Sequence, residues 1–168
     1  MSSEGKTLKN LEDAFAGESQ ANRKYLAFAK QADKEGFTQV AKLFRAAAEA
    51  ETIHAHSHLR ALKGIAGTRE NLLEAIAGET HEFQSMYPQM IVDAEQEGAT
   101  DALRSFKFAN AVEAVHAQLY QSALDSLDSA VGAFDYFICP VCGHTVEREA
   151  PERCEVCGAA GRLFFVVQ

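Results

Sequence analysis

Several residue types and sequence features are scarce in this 168-residue chain, and some of these scarcities exclude classes of protein. Tryptophan is absent, proline occurs three times, and the first cysteine is residue 139. No apolar run approaches the roughly 20 residues that a membrane span needs, and the polar N-terminus does not resemble a signal peptide. Basic residues number 16 against 24 acidic ones, and the net charge of −8 argues against binding of nucleic-acid phosphates. We therefore expect a cytoplasmic protein that binds neither membranes nor nucleic acid.

Most of the chain has the pattern of amphipathic helices. Apolar residues recur every three or four positions from Lys6 to Val131, among many Ala, Glu, Leu and Gln residues. Glycines and helix-starting residues divide this stretch into four segments of about 25 to 30 residues each. The predicted helices cover residues 7–35, 38–63, 69–97 and 100–129. Four long helices with short connections predict a four-helix bundle.

The two halves of this helical stretch resemble each other. The segment AFAGES at residues 14–19 matches AIAGET at residues 75–80, and Glu51-x-x-His54 matches Glu113-x-x-His116. The offset between matching residues is 61 for the first pair and 62 for the second. The third helix must therefore contain one extra residue, and we expect a bulge or kink near Pro88. This pattern is typical of a duplicated helical hairpin.

Each half keeps one glutamate on its first helix and a Glu-x-x-His motif on its second helix. Residues three apart on a helix lie on one face, so both side chains of each motif can reach the same point. Carboxylates that face a bundle core need neutralisation, and this donor set is typical of a dinuclear carboxylate site that suits iron or manganese. The alternative is a set of ordinary surface glutamates and core histidines, but two copies in register favour the metal site. The six candidate ligands are Glu18, Glu51, His54, Glu79, Glu113 and His116.

Three further residues lie close in sequence to these candidates. Glu82 follows Glu79 by three positions, and it has no counterpart in the first half. It is an additional ligand, a proton relay, or part of a solvated helix face. Tyr25 and Tyr87 follow Glu18 and Glu79 by seven and eight positions. Each tyrosine can donate a hydrogen bond to a ligating carboxylate, or it is a core residue without a functional role.

All four cysteines lie in two Cys-x-x-Cys-Gly motifs near the C-terminus. They are Cys139, Cys142, Cys154 and Cys157. In a chain without a signal peptide, such pairs indicate a metal site rather than disulfides. A tail of this size does not fold on hydrophobic burial alone, so the metal is expected to hold it together. The spacing fits zinc or iron, and a structural zinc ribbon is the alternative to a redox centre.

With these motifs identified, the sequence resembles the rubrerythrins over essentially its whole length. The resemblance implies a mainly α fold, with a ferritin-like di-iron four-helix bundle at residues 1–134. A small rubredoxin-like β domain of the metal-knuckle type, residues 135–168, is implied to follow. The cofactors implied are a non-haem di-iron centre and one mononuclear iron bound by four cysteines, with zinc a possible replacement in recombinant material. In this tail, Glu155 stands where a proline is usual and His144 where an aromatic residue is common.

The resemblance also assigns roles to individual residues. It implies that the six Glu and His candidates are di-iron ligands. Glu82 is implied to be a further ligand, which exchanges with His54 at one iron as the oxidation state changes. Tyr25 and Tyr87 are implied to lie beside the ligands.

The function implied by the resemblance is that of a peroxidase in oxidative-stress defence. Hydrogen peroxide is reduced to water with electrons relayed through the rubredoxin-like iron, and the expected donor is reduced rubredoxin or a flavoprotein that oxidises NADH. A ferritin-like di-iron oxidase or iron-handling protein that uses dioxygen is the alternative, and a non-catalytic protein with a zinc ribbon is a third possibility. Because the linker at residues 125–135 is short, a tail is expected not to reach its own bundle's site. We therefore expect a homodimer or higher homo-oligomer with electron transfer between subunits.

Overall fold

The computed structural model describes residues 3–129 and 132–167. Two positions of the linker, residues 130 and 131, and the extreme ends of the two predicted domains lie outside the described residues. The chain forms two compact units, Met1–Ala66 and Gly67–Gln168. The predicted fold class is confirmed, because long helices are followed by a small C-terminal sheet. None of the helices in the described ranges is both long and apolar enough to cross a membrane.

The first unit is a hairpin of two long helices. Helix α1 covers Ser3–Lys34 and helix α2 covers Thr38–Ala61, and between them Gly36 adopts the left-handed conformation with a φ of 83°. The side chains buried in the hairpin are alanines, whose small size allows the two helices to pack closely. Three of them repeat every seven residues along α2, which places them on one stripe of the helix. The buried alanines are Ala29, Ala32, Ala41, Ala48 and Ala55.

The second unit begins with an interrupted helix. Helix α3 (Thr68–His81) continues through a π-helical segment (Glu82–Met86) into helix α4 (Tyr87–Glu97). A π-helical turn accommodates one residue more than an α-helical turn, so this segment contains the extra residue that the repeat requires. Pro88 lies two residues after this segment, in the first turn of α4, where a missing N–H is tolerated. The predicted bulge near Pro88 is therefore confirmed.

Helix α5 and the C-terminal sheet complete the second unit. Helix α5 covers Thr100–Asp125 and ends four residues earlier than the sequence pattern predicts. The strands are β1 (Tyr136–Ile138), β2 (Thr145–Glu147) and β3 (Phe165–Val166), paired antiparallel in the order β2-β1-β3. The knuckle between β1 and β2 packs against α5, where Val112 is only 2% exposed and faces Gly143.

Candidate metal centres

The first unit brings together three of the predicted ligands. Donor atoms of Glu18 on α1, and of Glu51 and His54 on α2, all lie within 4.8 Å of one another. The Nδ1 atom of His54 is 2.9 Å from Oε2 of Glu51, as expected for residues three apart on one helix. The imidazole is 56% exposed, whereas the Glu51 side chain is 18% exposed. Two carboxylates and an imidazole at this separation form half of a dimetal ligand set.

A hydrogen-bonded amide joins the two helices beside this group. The Nδ2 atom of Asn22, one turn after Glu18, donates to the Ala48 carbonyl at 2.7 Å and to Oγ1 of Thr52 at 2.9 Å. Thr52 directly follows Glu51, so the contact holds α1 and α2 together at the level of the ligands. The sequence analysis did not identify Asn22, because its position in the second half is occupied by a phenylalanine. The sequence signal that could have identified Asn22 is its polar side chain, one helical turn from a candidate ligand on an alanine-rich helix.

The second unit brings together the other three predicted ligands. Donor atoms of Glu79 on α3, and of Glu113 and His116 on α5, lie within 4.8 Å of one another. The Nδ1 atom of His116 is 2.8 Å from Oε2 of Glu113 and 3.8 Å from Oε1 of Glu79. Burial raises the pKa of Glu79, and the nearby charge of Glu113 raises it further. A cation between these carboxylates would relieve their repulsion, and the donors match the preference of iron for oxygen and imidazole ligands.

Glu82 and Tyr87 flank this second group. Glu82 is the first residue of the π-helical segment, and it lies outside the set of atoms within 4.8 Å of one another. Burial raises the pKa of the Tyr87 phenol, and the charges of Glu113, Glu82 and Glu79 raise it further. Tyr87 therefore remains a protonated phenol near three carboxylates. The roles of Glu82 as ligand or proton relay, and of Tyr87 as hydrogen-bond donor, stay predictions.

The two predicted tyrosines occupy equivalent places in the repeat. The ring centroid of Tyr25 lies 6.1 Å from that of Phe44, and the ring centroid of Tyr87 lies 6.3 Å from that of Phe106. Both residues of the second pair are 62 positions after those of the first. The register has therefore changed before Tyr87, as expected if the π-helical segment contains the extra residue. A role for Tyr25 beside the ligands stays a prediction.

The four cysteines converge on one point in the tail. Their sulfur atoms all lie within 4.8 Å of one another, with 3.6 Å between Cys139 and Cys157 and 3.5 Å between Cys142 and Cys154. A tetrahedral ion with metal–sulfur bonds of about 2.3 Å has sulfur–sulfur edges of about 3.8 Å. The predicted metal site is thus geometrically complete. The glycine that follows each knuckle has a positive φ, 84° and 76°, which lets the chain turn there.

Burial and hydrogen bonding shift the pKa values of these thiols in opposite directions. Burial acts to raise the pKa of Cys139. Hydrogen bonds from the N–H groups of Val141 and Cys142, together with side-chain hydrogen bonds of Cys157 and Cys142, outweigh it and lower the pKa to about 7. Burial raises the pKa of Cys142 and of Cys157. A set of four thiolates at this separation needs a cation, and sulfur ligands suit iron or zinc.

A hydrogen bond connects the tail to the second ligand group. The Nε2 atom of His116 lies 2.9 Å from Oγ1 of Thr145, the first residue of β2. The tail therefore contacts a predicted di-iron ligand of its own chain, and the expectation that it would not reach this part of the site is wrong. The short linker does not prevent the contact, because the knuckle folds back against α5. Electron transfer between subunits stays a prediction.

His144 is a buried imidazole beside the cysteine site. Its side chain is 5% exposed, and Nδ1 has no hydrogen-bond partner among the described residues. Burial lowers the pKa of this imidazole, which favours its neutral form. The carbonyl of His144 accepts a 2.9 Å hydrogen bond from the N–H of Cys139. The residue thus packs as a neutral ring and supports the knuckle through its backbone.

Comparison with protein families gives two matches along the chain. The family model described as Rubrerythrin matches residues 9–124, and the one described as Rubrerythrin, rubredoxin-like domain matches residues 137–164. The first match covers all six Glu and His candidates, and the second covers all four cysteines.

Individual relatives and solved structures agree with these matches. Nigerythrin of Nitratidesulfovibrio vulgaris is 36% identical, over 91% of this chain and 82% of its own length. Rubrerythrin-2 of Clostridium acetobutylicum is 35% identical, over 88% and 89% of the two chains. The solved structure titled "Fully reduced state of nigerythrin (all ferrous)" has a TM-score of 0.58 at 34% identity, covering 96% of this chain and 86% of the other. The protein whose Glu/His groups and four-cysteine site are described above therefore belongs to the rubrerythrin family of di-iron proteins.

Proposed function

We propose that this protein is a non-haem di-iron peroxidase, which reduces one hydrogen peroxide molecule to two waters with two electrons and two protons. One observation carries the proposal: the four-cysteine site belongs to the same compact unit as Glu79, Glu113 and His116 and contacts His116 through Thr145. A four-cysteine iron is a one-electron carrier. A protein that only bound or stored iron would not require such a carrier beside its carboxylate ligands.

The donor groups fit the metal ions that this reaction requires. Four glutamates and two histidines, three donors in each unit, would hold two iron ions. When bound, the iron supplies the electrons for cleavage of the O–O bond and positive charge that stabilises the hydroxide leaving group. The joining of the two donor groups in one centre is part of the proposal.

The chain's own residues move the protons and orient the ligands. Glu79 would ligate the iron, whose positive charge would offset the burial and the charge of Glu113 that raise the pKa of this carboxylate. Glu82, on the same stretch of helix, relays protons from solvent. The Tyr87 phenol stays protonated beside these carboxylates and can donate a hydrogen bond to a ligand or to peroxide.

The remaining elements of the proposal concern partners. Reduced rubredoxin, or a flavoprotein that oxidises NADH, returns electrons to the four-cysteine iron, one at a time. The protein acts in the cytoplasm against oxidative stress, as a homodimer or larger homo-oligomer. The exposed Val141 in the first knuckle and the partly exposed Cys142 beside it provide a surface at which a donor protein can approach the metal.

The proposal is tested by mixing the fully reduced iron protein anaerobically with hydrogen peroxide, and separately with dioxygen. We expect the visible absorption of the ferric cysteine site to return many times faster with peroxide. Equal rates with dioxygen would favour the oxidase, and zinc in the cysteine site of natively purified protein would overturn the electron-transfer part.

A pair of glutamate variants tests the proton relay. We expect Glu82→Gln to slow peroxide turnover by about 10²-fold or more, which is the usual contribution of a positioned acid or base. Glu74→Gln changes an exposed glutamate on the same helix and is the matched control. Equal turnover by the two variants would contradict the role of Glu82.

A further inference from the structure

The two ring nitrogens of His116 face different partners. Nδ1 points to the carboxylates, at 2.8 Å from Glu113 and 3.8 Å from Glu79. Nε2 points to the hydroxyl of Thr145 at 2.9 Å. If Nδ1 ligates a metal, the ring proton lies on Nε2, which then donates to the Thr145 oxygen. The Thr145 hydroxyl thus selects which nitrogen of His116 faces the carboxylates.

The same hydroxyl continues into the cysteine knuckle. Oγ1 of Thr145 donates to the carbonyl of Gly143 at 3.1 Å. Gly143 directly follows Cys142, and its N–H donates to the Cys139 carbonyl at 2.9 Å. Two hydrogen bonds therefore join the imidazole of His116 to the carbonyl of Gly143, the residue after a metal-binding cysteine.

The surroundings make this hydroxyl difficult to replace. His116 and Thr145 line a cavity of about 430 Å³ whose wall includes Leu72, Leu119 and Ile138. Without the Thr145 hydroxyl, the N–H of His116 would face a mostly apolar wall. An unsatisfied polar group in such a place costs free energy, so the ring would be expected to rotate or to bind its ligands less well.

We propose that Thr145 is a positioning residue that fixes the His116 ring and couples the cysteine site to the carboxylate group of the same chain. The inference rests on the proposed electron transfer. In each transfer, a ferrous ion at the four cysteines would be oxidised to ferric, and its electron would reduce the ferric ion held by Glu79, Glu113 and His116 to ferrous. The first electron would pass on from this ion to the ferric ion held by Glu18, Glu51 and His54, so a second transfer would restore both of the electrons that one peroxide molecule consumes. The external donor would reduce the cysteine site again after each transfer. The hydrogen bonds that join His116, Thr145 and Gly143 lie within one chain.

The test compares two variants of the protein loaded with zinc at all sites. Zinc is diamagnetic and has no redox activity, so it permits NMR spectra without electron transfer. Thr145→Val preserves shape and strand preference but removes the hydroxyl, whereas Thr145→Ser keeps it. In ¹⁵N-histidine NMR spectra, we expect the Nε2–H of His116 to exchange with water at least about tenfold faster in Thr145→Val, as for a loss of roughly 1.4 kcal/mol of hydrogen bonding. We also expect zinc at the Glu/His sites to bind about 10- to 100-fold more weakly, as for other hydrogen-bond partners of metal-binding histidines. Zinc retention by the cysteines should be unchanged, and Thr145→Ser should behave as the unaltered protein.

The iron-loaded variants then report on electron transfer. After partial reduction of the cysteine site, we expect internal electron transfer to be slower in Thr145→Val and restored in Thr145→Ser. Thr38→Val, the same change in the first unit, is the control. If Thr145→Val impairs folding of the tail, Thr145→Ala is the second variant, with folding judged from zinc retention by the cysteines.

The possible outcomes separate this inference from the proposed function. Unchanged exchange, zinc binding and electron-transfer rate in Thr145→Val would overturn the role of Thr145. Changed exchange and zinc binding in a protein that shows no preference for peroxide would support the positioning role, while the peroxidase proposal would fail. Changed exchange with an unchanged transfer rate would overturn the coupling and show that electrons follow another path.

Discussion

Gly161 allows two backbone segments of the tail to approach each other closely. It begins the short 3₁₀ turn Gly161–Leu163, and its N–H donates to the Glu152 carbonyl at 2.8 Å. A Cβ atom at this position would overlap the carbonyl oxygen of Pro151, and it would lie 2.9 Å from that carbonyl's carbon atom. Ordinary contacts of a Cβ atom begin at about 3.4 Å, and the obstructing atoms are backbone rather than flexible side chain. The change Gly161→Ala must therefore separate the two segments.

The separation has a cost that can be measured at the metal site. Overpacking costs about 1–3 kcal/mol, and loss of the hydrogen bond to Glu152 costs about 1 kcal/mol. The separation also strains the bridge between Arg153 and Ala160, which lies next to Cys154. Because folding of the tail and binding of the metal are linked, a loss of about 3 kcal/mol lowers the apparent metal affinity roughly 100-fold.

The assay is competition for zinc between the cysteine site and a chelator. We expect zinc affinity to fall in the order Gly132→Ala, Gly158→Ala, Gly161→Ala. A Cβ atom on Gly132 meets no atom within 4 Å, so this variant is the control. Gly158 has a φ of 76°, which costs an alanine about 1–2 kcal/mol. If Gly161→Ala retained zinc as well as Gly132→Ala, the steric reasoning would be refuted. The far-UV signal of the helices should be the same in all three variants.

Two further predictions concern the donor groups. Asn22→Ala should lower the free energy of unfolding by about 1–3 kcal/mol in urea titrations, because two interhelical hydrogen bonds are lost; an effect no larger than that of the exposed control Asn10→Ala would contradict this. The pKa of Glu79 is raised above its ordinary value of 4.5 by burial and by Glu113. With the Glu/His sites empty, the folded state therefore binds more protons than the unfolded state, and this glutamate's contribution to stability falls as the pH rises through the folded pKa. The measurement is thermal unfolding of protein that holds zinc only at the cysteines. At pH 7, Glu79→Gln should be more stable than the unaltered protein, by about 1 kcal/mol or less because the site is partly exposed, and the difference should disappear below pH 4.5. A difference in stability that does not depend on pH would contradict the assignment of the raised pKa to Glu79.

The helical part of the fold could be predicted in detail because its signals are local. Three- and four-residue periodicity defined the helices, and counting along the repeat predicted the extra residue that the structure contains at Glu82–Met86. The end of α5 was predicted less well. No glycine or proline follows Asp125 directly, and the Ser126 hydroxyl bonds back to the Ser122 carbonyl at 2.8 Å, so the sequence continues to resemble a helix after the helix has ended.

The grouping of the six Glu and His candidates could be predicted because each occurs twice at a matched spacing, whereas the residues that support them occur once. Asn22 contacts Thr52 across 30 positions, and His116 contacts Thr145 across 29. Contacts over such separations depend on the packing of one element against another. No periodicity along the chain encodes them.

The two halves of the repeat differ in features that the second half has and the first half lacks among the described residues. The two halves retain equivalent exposed ion pairs, Arg45 with Asp33 and Lys107 with Glu95, both at 2.7 Å, so the helical frame is the same. The second half alone has the π-helical segment that begins with Glu82.

The two candidate histidine ligands also differ in exposure and in their contacts. His116 is 27% exposed against 56% for its counterpart His54, and its Nε2 bonds to the tail through Thr145. Iron ions at two groups with these surroundings would not be equivalent. In the proposed centre, the ion held by His116 would be the one whose histidine bonds to the four-cysteine tail. In the proposed reaction, electrons would arrive singly although peroxide requires two, so the ion held by His116 would receive each electron and pass the first one on to the ion held by His54.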